Sequence, residues 1–93
     1  MRLKPEEAKI IKDAVLQLDP TAQVFLFGSR VDPHRKGGDI DILVLSNVLK
    51  EINAIEILKL IYESMEEQKI DVLITSDIQA PFVKIALENG IKL

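Results

Sequence analysis

Two aspartates, Asp39 and Asp41, open the apolar run "DIDILVLS", where a buried strand would otherwise carry hydrophobic side chains. Successive side chains of a strand alternate between faces, so both carboxylates project to one side while Ile40, Ile42 and Val44 project to the other. Asp71 is the second residue of a similar run, "IDVLIT", and shares a face with Leu73 and Thr75. Pairing of these two strands would gather three carboxylates at one end of a sheet. Two carboxylates about 4 Å apart repel by roughly 4 kcal/mol at an effective dielectric near 20. A structural site has no use for that cost, and a divalent cation removes it. Oxygen-only ligands suit Mg²⁺ or Mn²⁺ rather than zinc. Lys69 lies on the face of Asp71 two residues earlier, and a plain Lys69–Asp71 ion pair is the competing reading.

A second group of residues precedes the aspartates. Gly28 closes the apolar run "VFLF" and is followed by Ser29 and Arg30. Glycine lets the chain turn sharply out of a strand and approach a ligand closely, and the following amides and the Ser29 hydroxyl can donate to phosphate oxygens. The Arg30 guanidinium is a fork shaped for phosphate, and His34, Arg35 and Lys36 make the intervening loop locally basic. His34 alone has no partner spaced for a metal and reads as solvated, and "HRKGG" also reads as an ordinary turn. Phosphate donors on one strand end and carboxylates on the next are the equipment for metal-assisted phosphoryl or nucleotidyl transfer. Neither G-x-G-x-x-G nor G-x-x-x-x-G-K occurs, which removes the dinucleotide-fold and P-loop readings.

The elements that must position these groups follow from periodicity. Ala8, Ile11, Val15 and Leu18 repeat at helical spacing behind Pro5, and Asp19-Pro20 ends the pattern. Val24 to Phe27 is a short central strand, Asp39 onward a second and Ile70 to Thr75 a third. Between the last two, Ala54, Leu58, Ile61, Tyr62 and Met65 define the buried side of a helix over roughly 48–68, with Ile57 and Leu60 toward its polar side. Ser76 or Asp77 is expected to cap the next helix, Pro81 to start it, and Gly90 to end it in the left-handed conformation. Ile91 to Leu93 can add a short edge strand. The expected fold is α+β in two layers, a small mixed sheet of three to four strands backed by helices, as one domain over residues 1–93.

Composition narrows the setting. The 93 residues are 47% hydrophobic and 29% charged, the balance of a globular chain. A net charge of −3 speaks against direct binding to nucleic acid or to anionic membrane. Absence of cysteine excludes disulfides and thiolate metal sites and suits a reducing compartment. No apolar stretch has the length of a membrane span or of a leader, so the expected location is the cytoplasm.

"GS", a nine-residue loop, "DID" within an apolar strand and "IDV" on a later strand together resemble the signature of the DNA polymerase beta-type nucleotidyltransferase superfamily. Within it the chain is most similar to the minimal nucleotidyltransferases of prokaryotes, and the likeness spans essentially the whole chain. The resemblance implies that Gly28 and Ser29 hold the triphosphate of ATP or another nucleoside triphosphate, and the Arg30 fork joins them as a nucleotide-binding candidate. It implies that Asp39 and Asp41 bind two Mg²⁺ ions, with Mn²⁺ as the alternative, and that Asp71 joins the catalytic metal and accepts the nucleophile's proton. It also implies a HEPN-domain protein as partner in a toxin–antitoxin pair, with AMP transferred to a hydroxyl of that partner. The alternative is a non-catalytic antitoxin that neutralises its partner by contact alone. One departure is the loop "VDPHRKGG", where many relatives carry a small residue and "RG" after "GSR".

Overall fold

The computed structural model describes residues 3–34 and 38–93. Its elements run α1 (Pro5–Leu18), β1 (Gln23–Phe27), β2 (Ile40–Leu45), α2 (Ala54–Tyr62), β3 (Ile70–Thr75), α3 (Pro81–Asn89) and β4 (Ile91–Lys92). The four strands form one mixed sheet in the order β3-β2-β1-β4. β1 is antiparallel to both β2 and β4, and β2 is parallel to β3. This is the expected α+β arrangement, and Ile91–Lys92 do add the edge strand.

Strand alternation divides the apolar residues between two faces. Val24 and Leu26 of β1, Ile40, Ile42 and Val44 of β2, and Ile70 and Ile74 of β3 pack with Ile11, Ala14 and Val15 of α1 and Ile57 and Ile61 of α2. Leu43, with Phe25, Phe27, Leu45 and Leu73, meets Val83 and Ala86 of α3 on the other face. The helices are thus not all on one side. A single nine-residue helix covers the second face, which is the face that carries Asp41 and Asp71.

α2 is much shorter than the periodicity suggests, nine residues instead of a span over 48–68. The parallel pairing of β2 and β3 explains this. The connection must return only the length of a six-residue strand, about 20 Å, whereas a helix of 21 residues would run roughly 31 Å. Residues on either side are used to turn. Ser46 Oγ accepts from the amides of Val48 and Leu49 at 3.0 and 2.8 Å, and Tyr62 Oη donates to the Gln68 carbonyl. The face that α2 turns to the sheet also differs from the expected one: Ile57 is fully buried and Leu60 packs against the core, while Ile52 and Ile55 face outward.

Two terminus expectations are also corrected. Asp77 does not cap α3. It accepts from the amide of Gln79 at 2.9 Å in a turn before the helix, and Ala80 occupies the cap position. Gly90 is extended, with φ −81° and ψ 169°, rather than left-handed. Its need is steric: a Cβ there would lie 2.4 Å from the Ala86 carbonyl oxygen and 2.9 Å from that of Leu26. Glycine therefore lets the end of α3 press onto β1 before the chain enters β4.

Candidate active site

The register places the site residues in one row. Phe27 on β1 faces Asp41 on β2, and Asp41 faces Asp71 on β3. Asp39 immediately precedes β2 at the same end of the sheet. Beyond Phe27 the chain enters a 3₁₀ turn, Gly28–Val31, that starts at the edge of this row. Gly28 has φ +75°, the left-handed region open to glycine. A Cβ on Gly28 would lie 2.4 Å from Asp41 Oδ2. The glycine turn and Asp41, separate in sequence, are therefore in close contact, backbone against carboxylate.

Burial pushes the Asp41 carboxyl above its ordinary value of 3.8, and the charges of Asp71 and then Asp39 push it further, with Lys69 opposing. Lys69 is itself raised above 10.5, first by its hydrogen bond to Asp39 and then by the charges of Asp39 and Asp71. Its Nζ lies 3.4 Å from Asp39 Oδ2. The competing reading of Lys69 thus had the wrong partner. Lys69 and Asp39 each precede the paired strands at the same end and meet there, whereas Asp71 stands beside Asp41.

Among the described residues no three acidic, His or Cys side chains are gathered into a ready metal cage. The row nevertheless fits a hard divalent cation by its chemistry. Its donors are all carboxylate oxygens, and the Asp41 carboxyl is perturbed in the direction that an added cation would relieve.

The remaining sequence candidates are distributed around this row. Ser29 is half-buried in the first turn after Gly28. Arg30 closes the base of the loop, its Nε donating to the Gly38 carbonyl at 3.1 Å. The His34 amide donates to Asp32 Oδ1 at 2.8 Å, and its ring is exposed. Arg35 and Lys36 lie outside the described residues.

Two features were not anticipated from the sequence. A cavity of roughly 460 Å³ adjoins Gly28, walled by Phe27, Val31, Phe82 and Ile85. Phe27 and Phe82 meet edge to face with centroids 5.6 Å apart, yet Phe82 remains 54% and Ile85 58% exposed. The helical spacing of these two residues was legible, but which side of α3 met the sheet was not. At the opposite end, buried Asp19 accepts from Ser46 Oγ at 2.7 Å and from the amide and hydroxyl of Thr21 at 3.0 and 2.7 Å. That network joins two connections and belongs to the scaffold.

The chain belongs to the nucleotidyltransferase domain family, whose model matches residues 8–93. This agrees with the polymerase beta-type resemblance of its motifs, and it implies a nucleoside triphosphate as substrate. Members of this family generally use divalent metals. A comparison with curated proteins returns no match. Among the described residues no helix is long and apolar enough to cross a membrane.

Proposed function

We propose that the chain transfers AMP from ATP to a hydroxyl group of a partner protein, with Mg²⁺ held by Asp39, Asp41 and Asp71. The contact between Gly28 and the Asp41 carboxylate carries this reading. It puts a turn able to receive phosphate oxygens beside the carboxylates that would hold the cation those oxygens need. When bound, the divalent ions would neutralise the triphosphate and the departing pyrophosphate. The chain's own contribution is positional. Gly28 keeps the space above Asp41 open, Ser29 offers a hydroxyl and an amide to the phosphates, and Asp71, beside Asp41, is available to take the proton of the attacking hydroxyl.

A protein acceptor is favoured by the surface next to the site. The exposed Phe82 and Ile85 border the Gly28 turn. Exposed apolar groups beside a catalytic row suit a folded partner that brings its own binding surface. By the resemblance of its motifs, that partner is a HEPN-domain protein and the chain its antitoxin.

The test is a transfer assay with α-labelled ATP, Mg²⁺, the chain and its candidate partner, followed by mass spectrometry of both proteins. AMP on a Tyr, Ser or Thr of the partner is expected, with no label when Asp39 and Asp41 are both replaced by Asn. Efficient labelling of a small hydroxyl compound by the isolated chain would refute a protein acceptor. Tight complex formation with no added mass would refute catalysis on that partner.

A further inference from the structure

Four charged side chains occupy the reactive end of the sheet. The parallel register sets Asp41 beside Asp71, and two residues earlier, just before both strands begin, Lys69 meets Asp39. Alternation puts all four on one face. Three negative charges and one positive charge therefore share a small surface, and the positive one has closed on Asp39 at 3.4 Å. The Lys69 side chain is 69% exposed, so packing does not hold it there. Its backbone is fixed independently, with the Lys69 carbonyl accepting from the amide of Ile40 at 3.1 Å. The side chain can therefore leave Asp39 without disturbing the ladder.

We infer that Lys69 is the resident counter-ion of the carboxylate row, and that it competes with the first divalent ion for Asp39 and so sets the metal affinity of the site. This inference rests on the carboxylate reading proposed above. Without metal, the ammonium offsets part of the repulsion among Asp39, Asp41 and Asp71. For an ion to engage Asp39, the ammonium has to withdraw, and its charge still opposes the incoming cation. A unit charge and a divalent ion about 6 Å apart repel enough, even at the dielectric of water, to weaken binding roughly tenfold. Lys69 would thereby keep the row from holding a metal tightly until a triphosphate adds its own negative charge.

The experiment is calorimetric titration of Mn²⁺ and Mg²⁺ into the nucleotide-free chain, with urea unfolding of each variant in the absence of metal. Lys69→Met should bind the ions roughly tenfold more tightly than wild type while unfolding at lower urea when metal-free. Lys69→Gln should behave alike, and Lys69→Arg should stay close to wild type in affinity. Unchanged or weaker binding by both uncharged variants, with wild type binding normally, overturns the inference and leaves the site reading intact. A shift in Lys69→Arg as large as that in Lys69→Met also overturns it, because charge would not be the cause. Failure of wild type and the uncharged variants alike to bind either ion overturns the site reading and the inference together.

Discussion

Asp41→Asn removes one negative charge from the middle of the carboxylate row at almost constant volume. None of the hydrogen bonds among the described residues ends on the Asp41 carboxylate, so the substitution breaks no bond there. The carboxyl is raised above 3.8 by burial first and by Asp71 and Asp39 next. The sign of the stability effect follows. The native chain binds this proton more tightly than the unfolded chain does, so stability falls as pH rises from 3.8 through the raised value, and the full penalty is present at pH 7. Neighbouring strands lie about 4.8 Å apart, and two unit charges at that distance repel by roughly 1 kcal/mol at the dielectric of water. Partial exposure, salt and the opposing charge of Lys69 reduce the net value to about 0.5–1 kcal/mol. Asp41→Asn should therefore raise metal-free stability at pH 7 by that amount, a Tm increase of about 2–8 °C for a domain of this size. The gain should shrink as pH falls toward 3.8 and vanish below it. Added Mg²⁺ should reverse the order, stabilising wild type by about 2.7 kcal/mol at a hundredfold excess over Kd and the variant far less. Urea unfolding followed by circular dichroism at several pH values, with and without Mg²⁺, reads all of this. A metal-free loss of more than about 1 kcal/mol, or a gain that ignores pH, would show that Asp41 is structural and refute the reasoning.

Gly28→Ala should cost about 1–3 kcal/mol of stability, from the left-handed backbone and from the displaced Asp41 carboxylate together, and should weaken ATP binding in calorimetry beyond what Ser29→Ala does. Ser46→Ala leaves Asp19 Oδ2 and the amides of Val48 and Leu49 without their partner and should cost about 2 kcal/mol in urea unfolding, with metal affinity unchanged. Hydrogen bonds from Ser46 and then Thr21 hold the Asp19 carboxyl below 3.8. The stabilisation from that network is therefore present above 3.8 and lost as pH falls through the depressed value. Ser46→Ala should flatten this acid limb.

Local chemistry and strand alternation made much of this molecule legible in one dimension. The apolar runs around Val24, Ile42 and Ile74 named the strands, Pro5 and Asp19 bounded α1, and the two-residue spacing of Asp39 and Asp41 put their carboxylates on one face. The "GS", "DID" and "IDV" motifs pointed to the nucleotidyltransferase domain family to which the chain belongs. These signals are short-range, because each depends on a few consecutive residues and on the period of a strand or helix. Register is not short-range. Whether Asp71 stands beside Asp39 or Asp41 changes with a slip along β3, and only the parallel ladder decided that Asp41 takes Asp71 and that Lys69 goes to Asp39. The length of α2 depended on how far the chain had to return across the sheet, and its buried face on how it met the strands, so Ile57, read as turned outward, is in the core. The contact of Gly28 with Asp41 is likewise a product of β1 and β2 ending side by side. Residue types were written in the chain, while the distances between them existed only once the strands had paired and the helices had chosen their faces.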